Sequence, residues 1–407
     1  MRISTANLYD TSIANLQRRQ NTLQTQQQQL TSGKRVLHAS DDPTAAARSE
    51  RAQVEMGRVD ANQRALEASR NSMTLSEAAL GDANGLLQQA RETMVAAGNA
   101  SYSDAERKGL ADKLRGIRDQ LLSIANRPDG SGGYLFSGQG SSNPPFLDQA
   151  SGVSYVGTPG TIQTGNLDRF QMSVDGRAAW EQARSGNGFF ATDAGTNPTS
   201  TPPGAAAQGW IDPGGVTNPS KLTGLNYSIS IAGTAPAAQT YTISPPPSDG
   251  SAATGSFKPG TSIGFDGLAV TISGAPVNGD NFSIAPATNS LKVFDVLDKA
   301  IAELRTPLRS GNQIAQSNSN RLRDLDAVMG NMQSARSQIG AQLTNLDGSE
   351  SRLSGLKLYA TQEKSAAEDV DMVRAISDFQ NQQTGYDAAL KSYAMVQRMS
   401  LFQYLNG

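Results

Sequence analysis

Histidine occurs once in the 407 residues, as His38, and cysteine does not occur. Nucleophilic chemistry of the Ser-His-Asp or Cys-His kind would rest on that single imidazole, with no second histidine to support it. Thiolate sites, multi-histidine metal sites and disulfides are excluded. His38 reads as a loop residue between two helical stretches. The adjacent carboxylates Asp41 and Asp42 invite a cation, yet two aspartates fall short of a six-ligand oxygen site. Asp42 directly precedes Pro43, so it reads as a helix cap: the residue before a proline avoids helical backbone, and proline suits the first helical position. Neither Gly-x-x-x-x-Gly-Lys-Ser/Thr nor Gly-x-Gly-x-x-Gly is present to cradle phosphate. No set of acids, bases or ligands supports an enzyme, and no metal or cofactor is expected.

Composition narrows the classes further. Lys plus Arg number 35 against 37 Asp plus Glu, a formal charge of −2 with no basic footprint for nucleic acid. No stretch approaches the roughly 20 apolar residues of a membrane span, so no membrane insertion is expected. The start, Met1-Arg2-Ile3-Ser4-Thr5-Ala6-Asn7, lacks the apolar run of a secretory signal, which predicts a chain without a cleaved address.

With catalysis set aside, the elements themselves carry the information. Residues 129–290 hold 15 of the 18 prolines and 26 of the 40 glycines, while the flanks are rich in Ala, Gln, Arg and Leu. The order is helical, then β and loops, then helical. In the N-terminal flank Ile13, Leu16, Gln20, Leu23, Gln27 and Leu30 step by three and four residues, with Ala6 and Tyr9 extending the series backwards. The C-terminal flank mirrors it with Ile376, Phe379, Gln383, Tyr386, Leu390 and Tyr393, and Met372 before them. These are narrow a/d seams with glutamine at core-type positions. A helix with so narrow a stripe is marginal alone in water. Its expected partners are the other terminus and further copies of the chain.

A second pair of seams lies inside the first. Val59, Leu66, Met73, Leu80, Leu87 and Met94 recur every seven residues, with Ala83, Ala90 and Ala97 three places behind the last three. Across the chain, Leu322, Leu325, Met329, Met332, Ile339, Leu343, Leu346 and Leu353 answer them, interrupted by Arg336 and Glu350. Helices of this length predict a rod. Ser103-Asp104-Ala105-Glu106 is a capping box for a helix to about Asn126, ended by Arg127-Pro128-Asp129-Gly130.

The centre alternates like strands: Leu225, Tyr227, Ile229, Ile231, then Leu268, Val270, Ile272, with tight turns at Asp266-Gly267 and Asn278-Gly279. The expected class is α+β, with helical, coiled-coil termini and inserted antiparallel β domains. The expected divisions are an N-terminal coiled-coil segment 1–40, a helical rod domain 41–190 and 288–368 with a β-hairpin region at 134–180, a loop or linker 191–219, an outer β domain 220–287, and a C-terminal coiled-coil segment 369–407.

The run Leu30-Thr31-Ser32-Gly33-Lys34-Arg35-Val36, then Ala39-Ser40-Asp41-Asp42-Pro43, resembles the flagellin superfamily, as does Glu368-Asp369-Val370-Asp371-Met372 opening a last helix with Tyr386, Ala388, Ala389 and Leu390. The resemblance spans roughly 1–140 and 290–407. Gly133-Tyr134-Leu135-Phe136-Ser137-Gly138, Asn143-Pro144-Pro145-Phe146 and the ending Leu401-Phe402-Gln403-Tyr404-Leu405 are similar to the hook–filament junction branch of that superfamily, and Phe265–Gly274 resembles a β module common in hook-associated proteins. The resemblance implies a nested helical fold and a structural adaptor joining hook to filament. It implies partners: copies of itself, a hook-side hook-associated protein, filament flagellin, and an export chaperone at the C-terminal segment. It also implies type III export without a cleaved signal, and an extracellular place in the flagellum. The alternatives are a minor filament flagellin, or a secreted coiled-coil adhesin whose β domain binds glycans.

Overall fold

The computed structural model describes residues 5–99, 101–140, 142–201, 203–233 and 238–405, apart from the side chains of 5–9 and 396–405. The chain divides into two compact units, 1–64 with 349–407 and 65–348. Seven helices run in chain order among the described residues: α1 (Thr5–Ser32), α2 (Pro43–Ala97), α3 (Asp104–Ala125), α4 (Gly176–Glu181), α5 (Val293–Arg305), α6 (Gly311–Glu368) and α7 (Met372–Leu405). The strands among the described residues all lie between 146 and 291. The class is α+β, with helical ends and inserted antiparallel sheets.

In the larger unit the seven-residue seam of α2 is the core. Leu66, Met73, Leu80, Leu87 and Met94 are all buried, and Ala83, Ala90 and Ala97 share one buried cluster with side chains of α3, α5 and α6. From α6 come Leu325, Met332 and Ile339. Arg336, which breaks the seam in sequence, pairs with Glu77 of α2. Arg70–Asp347 and Arg91–Asp326 pair the same two helices, so α2 and α6 run antiparallel. The capping box of α3 is made in both directions, Glu106 N–H to Ser103 Oγ and Ser103 N–H to Glu106 Oε2. A second box opens α6, with Ser310 N–H donating to Gln313 Oε1 at 2.9 Å and Gln313 N–H to Ser310 Oγ at 3.3 Å.

The region 134–180 is one hydrophobic core with the helices. Its hairpin, Phe146–Gln149 with Gly152–Tyr155, places Phe146 beside Trp180 of α4 and Phe294 of α5, the last two rings stacked 5.7 Å apart. Arg118 of α3, itself buried, ties the assembly together, bonding Asp148 of the hairpin at 2.6 and 2.7 Å and Asp298 of α5 at 2.7 Å.

Among the described residues the β domain is built on two larger sheets, with a short two-stranded pair, Thr196–Asn197 with Ala205–Ala206, beside them. Five antiparallel strands run in the order Thr254–Phe257, Gln239–Ser244, Tyr227–Ala232, Asn281–Pro286, Phe190–Ala194. In the second sheet Leu268–Gly274 pairs with Ser262–Phe265, Gly215–Val216 and Gly209–Ile211. Their alternating apolar side chains, among them Ile229, Ile231, Val270, Ile272, Phe282 and Ile284, form a core of their own. The turn at Asp266-Gly267 takes φ of +43° and +76°, as a two-residue hairpin turn needs. Asp266 is buried there and accepts from Tyr227, Ser248 and Asp249. Burial pushes its carboxyl up, but those donors outweigh burial and hold it below the usual range.

One expectation needs correcting. The stretch 191–219 is not a structureless linker: it supplies most of Phe190–Ala194 and all of Gly209–Ile211 and Gly215–Val216, which complete both sheets. Strands of two to five residues between Pro and Gly are too short to show a period.

A candidate assembly interface at the chain termini

The smaller unit contains every residue singled out as a subunit contact. Helices α1 and α7 pack against each other. They run antiparallel: Lys34 bridges to Asp369, and Arg19 lies by Gly385, where a Cβ would sit 2.7 Å from its Nη1. Leu16 and Tyr393 line one groove of about 650 Å³, with Arg18, Arg19, Gln382 and Ala389. Ala6 and Tyr9, and the ending Leu401–Leu405, lie outside the residues whose side chains are described.

Two helices do not cover these seams. Leu16, Leu23, Leu30, Phe379, Tyr386 and Tyr393 are half-buried, and Gln20, Gln27 and Gln383 are exposed. Ile13, Ile376 and Leu390 stay 41%, 46% and 40% exposed. No described side chain of α1 or α7 is fully buried. Completing the burial of one such aliphatic side chain releases about 1 kcal/mol. The arrangement therefore leaves a continuous, partly apolar face whose remaining burial requires another surface.

Between α1 and α2 the chain forms a latch. Gly33, at φ +72°, ends α1 in the left-handed region that closes helices. Arg35 N–H then donates to Glu368 O at 2.6 Å, and Val370 N–H donates back to Gly33 O at 3.0 Å. Arg35 spans the joint, with Nη2 donating to Ala367 O at 2.9 Å and Nη1 to Asp42 Oδ2 at 3.1 Å. A cation at the last carbonyls of α6 also suits the helix dipole. Lys34 pairs with Glu368, whose other oxygen accepts from Ser49 Oγ at 2.8 Å. Beneath them Val36, Ala45 and Ala367 form a small buried cluster.

The acidic residues of the latch hold backbone. Asp42 Oδ1 accepts from Ala45 N–H at 3.0 Å in the first turn of α2. That bond, then Thr44 and Arg35, lowers its carboxyl to about 2. Asp41 accepts from the N–H groups of Leu37 and His38, which lower it too. Burial pushes Glu368 up, but Ser49 and the lysines outweigh it and its carboxyl ends below the usual range. Asp371 accepts from Val373 and Arg374 N–H at the start of α7. His38 is exposed. Among the described residues no cluster of His, Asp or Glu is placed to hold a metal ion, and no helix is long and apolar enough to cross a membrane.

Sequence reasoning missed the latch as a unit. Gly33, Arg35, Glu368 and Val370 were legible as motif residues, but their mutual bonds join positions more than 330 residues apart. It also passed over Ser310-x-x-Gln313, a capping signal as plain as Ser103-x-x-Glu106.

The bacterial flagellin N-terminal helical region matches residues 3–141, and the bacterial flagellin C-terminal helical region matches residues 322–405. Together they take in more than half of the chain, which belongs to the flagellin family. Within that family it is similar over 99% of its length, and 99% of theirs, to flagellar hook-associated protein 3 of Escherichia coli (25% identity) and of Salmonella typhimurium (27%). The crystal structure of flagellar hook-associated protein 3 from Legionella pneumophila is 27% identical. It superposes with a TM-score of 0.69, over 77% of this chain and 97% of that one. Flagellin of Bacillus subtilis, at 29% identity, aligns over only 27% of this chain and 37% of its own.

Proposed function

We propose that this chain is the structural adaptor of the bacterial flagellum that joins hook to filament. The observation that carries this is the reach of the similarity. Hook-associated protein 3 aligns from end to end, central β region included, whereas the flagellin of Bacillus subtilis aligns over about a quarter of the chain. A filament flagellin would show the reverse preference. Its relatives are structural proteins of the flagellum, and no catalytic role is assigned to any residue.

The mechanism is completion of the terminal seams between copies. Ile13, Leu16, Gln20, Leu23, Gln27 and Leu30 of α1, with Ile376, Phe379, Gln383, Tyr386, Leu390 and Tyr393 of α7, present a half-covered face that neighbouring copies cover. The glutamines contribute register through side-chain hydrogen bonds. Contacts between unlike surfaces generate an open helical array, which suits a tube. A hook-side hook-associated protein and filament flagellin are the partners on its two sides. An export chaperone at the C-terminal segment keeps the exposed stripe of α7 from associating early, and export proceeds without a cleaved signal peptide. Asp42 is the cap that fixes where α2 begins, and so where the terminal segment ends.

Immunogold electron microscopy of isolated flagella, with antibody against 190–287, tests the assignment. A narrow band where hook meets filament is the expected result. Label along the whole filament would make the chain a flagellin. Flagella without label would leave the secreted adhesin reading.

A further inference from the structure

Asn312, Gln316, Asn320 and Arg323 follow one another by four, four and three residues, so they share one face of α6. That face meets the β domain through hydrogen bonds. Asn312 Nδ2 donates to Gln208 O. Ile211 N–H donates to Gln316 Oε1 at 2.8 Å, and Gln316 Nε2 donates to Asn320 Oδ1 at 3.0 Å. Asn320 Nδ2 donates to Asp193 Oδ1 at 2.9 Å, and Arg323 Nη1 to Thr192 O at 3.1 Å. Gln316 and Asn320 are buried, so water does not compete for their bonds while the joint is closed.

The strands that receive these bonds lie at sheet edges. Phe190–Ala194 ends the five-stranded sheet, and among the described residues Gly209–Ile211 pairs only with Leu268–Gly274. Side chains of α6 stand where a further strand would otherwise pair. The apolar cores stop short of this joint: the cluster around Leu80, Trp180 and Leu325 and the cluster around Ile229 and Ile272 share no member. The chain crosses between the two cores as a two-stranded ribbon. Ala183–Arg184 pairs with Asn289–Leu291, with a register shift in the pairing, and Ser185 N–H donates to Thr288 O at 2.9 Å.

We propose that the β domain is a detachable body. It leaves α6 by releasing the row from Asn312 to Arg323 together, pivots on the ribbon at 183–185 and 288–291, and keeps both apolar cores closed. A hydrogen bond given up to water costs far less than an unsealed core, because water replaces the lost partner. Opening of this kind lies below global unfolding in free energy. Undocking follows from the fold alone and does not depend on the adaptor reading.

Amide exchange of the full chain tests it. Ile211 is the reporter, because its N–H is held across the joint by Gln316. Ile229 and Leu80, both fully buried, report the two cores. The expected result is exchange at Ile211 at least a hundredfold faster than at Ile229 and Leu80. Equal protection at all three would mean that the joint opens only with global unfolding, and would overturn the proposal. Asn312→Ala, one helical turn from Gln316, should quicken exchange at Ile211 about tenfold and leave Ile229 and Leu80 unchanged. No change at Ile211 would overturn release of the row as a unit. The chain has no cysteine, so Asp193→Cys with Asn320→Cys supplies one defined pair of thiols, and a short bis-maleimide across it holds the joint shut. Ile211 should then exchange at least tenfold more slowly than in the same variant left unbridged. Equal rates would reduce the opening at Ile211 to local fraying and overturn the proposal.

Discussion

The same alternation of three- and four-residue steps runs along two helix pairs, α2 with α6 and α1 with α7, and it ends in two different environments. Around Leu80 of α2 the stripe is sealed: Met73, Leu80, Leu87 and Leu325 are buried, supported by α3, α5 and an aromatic cluster. Around Leu23 of α1 the stripe meets one other helix, and Ile13, Ile376 and Leu390 keep two-fifths or more of their surface. A heptad pattern states that a stripe exists and leaves open what covers it. In the larger unit the cover is intramolecular. In the smaller one two helices leave it only part-covered.

Substitutions should therefore separate the two pairs, most strongly in the sealed one. Leu80→Ala removes a fully buried side chain and is expected to cost the isolated chain about 3 kcal/mol in urea unfolding. A loss below about 1 kcal/mol would mean that this seam is not the core. Arg118→Ala strands Asp148 and Asp298 on two elements and should cost about 2 kcal/mol by the same measurement. Leu23→Asp should leave the isolated chain within about 1 kcal/mol of wild type, because the site is half-solvated. In cells, however, incorporation into flagella should fall at least tenfold. A strongly destabilised monomer would show instead that the terminal seam is an ordinary core.

Acid gives the smallest and most discriminating contrast, because two carboxyls respond with opposite sign. In the latch, Asp42 is lowered from 3.8 to about 2. Its contribution is full above pH 3.8 and is lost as pH falls through about 2. Hydrogen exchange at the start of α2 should quicken across that window, and Asp42→Ala should abolish the change. In the larger unit, burial raises Glu303 above 4.5, more than Arg321 and Arg309 offset. The folded state there favours the protonated acid, so stability rises as pH falls through its raised value towards 4.5. Glu303→Gln should flatten that rise, and an unchanged slope would assign it to other groups.

Much of this was legible because it is local. The capping box at Ser103, the turn at Asp266-Gly267 and the period of Val59 to Met94 each depend on residues within a few positions of one another. The seam residues of α1 and α7 could be named for the same reason. What the chain could not declare was either too short or too distant. Gly209–Ile211 has three residues and gains meaning only beside Ser273. Trp180, on a helix of six residues, gains its place from Phe146 and Phe294. The latch joins Arg35 to Ala367, and no local pattern records that the loop after α1 and the end of α6 were shaped for each other.

The central claim is that the terminal seams are finished by neighbours, and amide hydrogen exchange tests it directly. Exchange along α1 and α7 would be compared between the free chain and the same chain in isolated flagella. The account predicts fast exchange at Leu16, Leu23, Phe379 and Tyr386 in the free chain, slowed at least a hundredfold on assembly, while amides around Leu80 are protected in both. Amides of α1 and α7 already as protected in the free chain as those around Leu80 would contradict it.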